Sequence, residues 1–103
     1  MKKIIDEIIE FRDQRGWREN DRPENLAKSI IIEAAELLEN YQWGPENADL
    51  ENVKEEIADV LIYSIAMAYD LGFNIEEIIR EKQFDKRDAT KLDCWRIIKF
   101  TWR

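Results

Sequence analysis

"EEIADVLIYSIAMAYDLGF", residues 55–73, decides how this chain folds. From Ile57 to Tyr69 its only charged side chain is Asp59, and the rest is apolar or small. No Pro or Gly interrupts the run before Gly72. Such a stretch predicts a long helix, from about Leu50 to Leu71. A carboxylate inside it is costly unless a partner offsets its charge.

Outward from this helix the pattern stays helical. Pro23 to about Gln42 carries apolar residues at helical spacing, with Asp21 and Glu24 spaced as a capping box and Pro23 tolerated in the first turn. "WGPENADLEN", residues 43–52, reads as a turn. Lys2 to Arg15 forms an amphipathic helix through Ile4, Ile5, Ile8, Ile9 and Phe11, and Gly16 stops it. Asn74 can cap a fourth helix, "NIEEIIREKQFDKR", residues 74–87. No strand pair, internal repeat or interdomain linker is evident. The expected fold class is all-α, a four-helix bundle over residues 1–103 as one domain. The tail, about 88–103, is atypical: short and basic, yet bearing Trp95, Ile97, Ile98, Phe100 and Trp102.

Composition narrows the chemistry. A net charge of −7 argues against binding a nucleic acid polymer. No apolar run approaches the roughly 20 residues of a membrane span. MKKIIDEIIEF has acids too early for a secretory signal. The single cysteine, Cys94, allows no internal disulfide, and a cytoplasmic location is expected. Histidine is absent, which weakens any zinc, haem or histidine-ligated di-iron site and excludes a Ser-His-Asp triad.

The acidic residues are therefore the candidates. On the second helix Glu33 falls within the stripe of Leu26, Ile30, Leu37 and Tyr41, and Glu36 lies at its edge. On the third, Val53, Ile57, Val60, Ser64 and Leu71 form the main stripe, with Glu56, Asp59 and Tyr63 along one side. If the two helices pack antiparallel, four carboxylates converge, repel and raise their own pKa values. An oxygen-loving divalent cation, Mg²⁺, resolves that conflict. Glu39 and Glu55 point outward. Trp17 and Trp43, at loop positions beside helix ends, could stack on a planar base.

Taken in order, "FRDQRGW", "RPENLAKSIIIEAAELLENYQW" and "VKEEIADVLIYSIAMA" resemble the MazG-like all-α nucleotide pyrophosphohydrolases, nearest the small branch of dCTP pyrophosphatases. The resemblance covers about residues 8–82. It rests on Trp17, Pro23, Asn25-Leu26, Glu33-x-x-Glu36-Leu37, Gln42-Trp43 and Glu56-x-x-Asp59-Val-Leu-Ile-Tyr63. It implies Mg²⁺-dependent cleavage of a nucleoside triphosphate, pyrimidine or modified, to monophosphate and pyrophosphate in nucleotide-pool cleaning. It further implies that Glu33, Glu36, Glu56 and Asp59 hold the metal. Glu36 or Glu33 is the candidate to take the proton of the attacking water. Trp17, Trp43 and Tyr63 would surround the base, and Lys82 would meet the phosphates. A homodimer or dimer of dimers, each subunit completing the other's bundle, is also implied.

One departure is clear. Four residues after Lys82, where the family usually has asparagine, this chain has Lys86, and the basic-aromatic-proline pattern that should follow is missing. That departure keeps two other readings open: a dimeric helical protein that binds Mg²⁺-nucleotide without efficient turnover, and a structural helical dimer whose acidic pairs do nothing.

Overall fold

Two side-chain caps start the helices of the C-terminal half. In the computed structural model, which describes residues 1–16 and 21–84, Asp49 accepts from the backbone N–H groups of Glu51 and Asn52 at 3.1 and 3.4 Å. It thereby satisfies donors that a helix start leaves unpaired. Asn74 does the same for Glu77 at 3.0 Å. The elements are α1 (Lys2–Gln14), α2 (Pro23–Glu39), a single 3-10 turn (Pro45–Asn47), α3 (Leu50–Asp70) and α4 (Ile75–Gln83). There is no strand among the described residues, so the all-α expectation is met. The tail at 88–103 lies outside them, as does the last part of the expected fourth helix.

Two local expectations are corrected. The capping box at Asp21 does not form: Arg22 is the N-cap of α2 and makes no side-chain cap bond. The Asp21 carboxylate accepts instead from the Arg12 guanidinium. The second helix also ends three residues early, at Glu39. The Asn40 side-chain amide donates to the carbonyls of Glu36 and Leu37 and to Asn52 Oδ1 at 2.8 Å. It therefore serves carbonyls of the last turn while tying α2 to the start of α3. Gly44, at φ +112°, then takes a conformation that side-chain-bearing residues rarely adopt.

α2 and α3 form the main packed pair, and α1 and α4 each lie against α3. The α2–α3 register is antiparallel. Asn40 meets Asn52, Glu33 meets Glu56 and Asp59, and Leu26 shares a cavity wall with Ala66. Leu26 and Ala66 are each 1% exposed and, with Ile9 and Ile75, form the fully buried apolar core of the described residues. On α3 the inward face is rotated from the expected stripe: Ile57 is 44% exposed, whereas Glu56 is buried. Glu56, Asp59, Tyr63, Ala66 and Asp70 recur at three- and four-residue intervals, so the polar line is the packing line.

Asp49 fixes the start of the helix that carries Glu56 two turns later. Asp49→Ala is expected to cost about 1 kcal/mol, read as a lower urea midpoint with an unchanged slope.

Candidate metal centre

Antiparallel packing of α2 on α3 brings carboxylates from both helices to one point. One oxygen each from Glu33, Glu56 and Asp59 lies within 4.8 Å of the others. Glu33 and Asp59 are half-buried and Glu56 is buried. Glu36 stands one turn from Glu33 and presses its charge on both Glu33 and Glu56. Glu39 and Glu55 are exposed, as expected.

Electrostatics record the crowding. Hydrogen bonding to Glu56, with burial and the charges of Glu36 and Asp59, pushes Glu33 up to about 7. The hydrogen bond from Glu33 works to lower Glu56, but burial and Glu36 outweigh it and its pKa is raised. Each of the two carboxyls thus holds its proton more tightly than an isolated carboxyl does, and they titrate as a pair. Glu56 Oε2 is nevertheless buried with no hydrogen-bond partner among the described residues. A buried carboxyl with one unpartnered oxygen, clustered with two other carboxyls, suits a hard cation. The donor set contains neither imidazole nor thiolate, and Mg²⁺ fits it better than a softer ion.

A pH dependence follows from the raised carboxyls. Between about 4.5 and about 7 the folded chain retains a Glu33 proton that the unfolded chain has released. Stability of the metal-free protein is therefore expected to fall as pH rises through that window and to level off above it. Thermal melts in chelator from pH 5 to pH 8 read the slope. Glu33→Gln should flatten it, and added Mg²⁺ should restore stability most above pH 7.

Two cavities flank the carboxylates. One, of about 540 Å³, is lined by Glu36, Gln42, Trp43, Asn52 and Glu56 among others, and Trp43 is 78% exposed at its edge. The other, of about 440 Å³, is mainly apolar and runs beside Asp59, Ile62 and Tyr63 of α3. Burial, then the charges of Glu33, Asp59 and Asp21, raise the Tyr63 pKa, so its hydroxyl stays a donor. The structure thus brings Glu33, Glu56 and Asp59 together, with Glu36, Trp43 and Tyr63 adjacent. Lys82 is exposed near the end of α4 and lines neither cavity. Trp17 lies outside the described residues.

Sequence reasoning missed a second charged group. Arg12, only 3% exposed, forks onto Asp70, with Nη1–Oδ1 at 3.1 Å and Nη2–Oδ2 at 2.8 Å. Its Nε and Nη2 also donate to Asp21 Oδ2 at 3.3 and 3.2 Å. The signal was available: Arg12 follows Ile5, Ile8 and Ile9 on the apolar face of α1, and Asp70 follows Ala66 by one turn on the inward face of α3.

The family model described as the MazG-like family matches residues 28–96. The chain is 35% identical to human (Homo sapiens) dCTP pyrophosphatase 1 over 68 residues, which is 57% of this chain and 40% of that protein. It is 30% identical to the mouse (Mus musculus) protein of the same name over 87 residues, 76% of this chain and 51% of that one. It therefore spans about half the length of these relatives. A solved pyrophosphatase from Archaeoglobus fulgidus is 41% identical and superposes with a TM-score of 0.76, covering 86% of this chain and 91% of that one.

Proposed function

The chain belongs to the MazG-like family, and on that premise we propose that it is a Mg²⁺-dependent nucleotide pyrophosphohydrolase. Its substrate is a nucleoside triphosphate, cleaved to the monophosphate and pyrophosphate. The observation that carries this reading is the meeting of Glu33, Glu56 and Asp59 across α2 and α3, with Glu56 Oε2 buried and unpartnered. The names of the human, mouse and archaeal relatives point the same way.

Glu33, Glu56 and Asp59 would hold the metal, with Glu36 reaching it from the adjacent turn of α2. When bound, the ion supplies charge neutralisation for the phosphates and lowers the pKa of water. The chain's own residues do the rest. Glu36 stands beside the three-carboxylate cluster and takes the proton of the attacking water. Tyr63 remains protonated beside Asp59 and can donate to the substrate. Trp43 edges the polar cavity on the Glu36 side. No covalent nucleophile is required, which agrees with a chain lacking histidine.

A second copy of the chain completes the bundle in this reading. Ile31 (70% exposed), Ile32, Leu38 and Leu61 leave broad apolar surface on α2 and α3 of the single chain. Sedimentation equilibrium reads the assembly.

The deciding experiment is pyrophosphate release from a panel of dNTPs and NTPs, with and without Mg²⁺. Metal-dependent release with monophosphate as co-product supports the reading. Tight Mg²⁺-nucleotide binding without release would leave a binding protein in its place.

A further inference from the structure

The mainly apolar cavity has two ends of different chemistry. One end is Asp59, which belongs to the carboxylate cluster. From there it follows α3 past Ile62 and Tyr63 to Ala66, a distance of about 10 Å at the rise of a helix. Phe11 of α1 contributes to its walls, and at about 440 Å³ it has the size of a small-molecule site. The far end is polar again, because Arg12 and Asp21 line the cavity there.

These two residues present an acceptor. Arg12 directs its hydrogen bonds to Asp70 and to Asp21 Oδ2. Asp21 Oδ1 receives none of them, and the Asp21 side chain keeps a quarter of its surface exposed. The negative charge of Asp21 is felt at the Tyr63 hydroxyl, which places both residues on the same space. An apolar slot ending in an oriented carboxylate suits a flat ring bearing an amino group.

We propose that Asp21 reads the base of the nucleotide, with Oδ1 accepting a hydrogen bond from an exocyclic amino group. This rests on the nucleotide reading above: phosphates at the carboxylate cluster direct the base along the slot. Cytosine and adenine offer that donor. Uracil and thymine place a carbonyl oxygen opposite the carboxylate, where two acceptors face each other without a proton. Arg12 is a positioning residue, since its grip on Oδ2 aims Oδ1 at the slot. Glu7, also acidic, lines the same cavity but is exposed, and it serves as the control.

The test is calorimetric binding of dCMP, dAMP, dUMP and dTMP with Mg²⁺ present, which requires no turnover and lets the phosphate meet the carboxylate cluster. The native protein is expected to bind dCMP at least about tenfold tighter than dUMP. In Asp21→Asn the ratio should fall to unity or below, because Arg12 can donate only to the amide oxygen and so leaves the amide nitrogen, a donor, facing the ring. Glu7→Gln should retain it. A ratio within one sample does not depend on the folded fraction, so loss of stability in Asp21→Asn does not obscure the result. A native ratio near unity, a ratio preserved in Asp21→Asn, equal loss in Glu7→Gln, or no binding of any of the four overturns the proposal. Selective binding without hydrolysis of any triphosphate defeats the pyrophosphohydrolase reading and leaves the base-reading site standing. Hydrolysis indifferent to the base, with no selectivity in binding, defeats only the latter.

Discussion

Glu56→Gln is expected to lower metal-dependent pyrophosphate release by at least about a hundredfold and to raise the melting temperature of the metal-free protein. The loss follows from its place in the cluster. Glu56 is the buried member of the cluster with Glu33 and Asp59, and one of its oxygens, Oε2, has no hydrogen-bond partner among the described residues. Even residues that merely orient a metal ligand affect activity by about 10- to 100-fold. The gain in the metal-free state follows from the same crowding. An amide in place of the carboxyl removes one of four mutually repelling groups and can donate to Glu33. Opposite signs in the two measurements distinguish a ligand from a packing residue, whose loss lowers both. A variant that still gains stability from Mg²⁺ as the native chain does would sink the metal-centre assignment.

Arg12→Ala is expected to destabilise the fold by about 3 kcal/mol, because it leaves two carboxylates, Asp70 and Asp21, without their shared cation. Partial exposure of the two acids keeps the figure at the low end for a broken buried pair, at side-chain exposures of 15% and 25%. For a chain of this size the melting temperature should drop by more than about 10 °C. Arg12→Lys should recover only part of it, since one ammonium cannot fork onto Asp70 and also reach Asp21. Urea titration of the three proteins reads the series. A cost for Arg12→Ala below about 1 kcal/mol would place this network with ordinary surface ion pairs.

The helices and the convergence of carboxylates were legible because both depend on short-range spacing. Asp59 in an apolar run, and Glu33 inside an apolar stripe, were enough to bring α2 and α3 face to face. The rotation of α3 was not legible. Helical spacing puts Ile57 in the main stripe and an inward-facing Glu56 beside it. Only contact with α2 shows that Glu56 is the buried residue and Ile57 the 44% exposed one. The Asp21 capping box failed for a related reason. Its local pattern was correct, but a guanidinium nine residues earlier competes for the same carboxylate. The early end of α2 depends on Asn40 finding Asn52, a partner twelve residues ahead. Each miss is a long-range contact that overrides a local preference.

The Arg12–Asp70 fork joins residues 58 positions apart, and that separation orders the events of folding. Between α2 and α3 the chain has only a short connection, so their pairing closes a small loop at modest entropic cost. α1 can gain its ionic tie to α3 only after the far end of α3 exists. The transition state is therefore expected to consist mainly of the α2–α3 hairpin, with α1 docking on the downhill side. Arg12 is expected to be a low-φ position: in stopped-flow urea jumps Arg12→Ala should speed unfolding and leave the refolding rate nearly unchanged. The guanidinium acts as a latch on the finished molecule, setting how long it stays folded rather than how fast it forms.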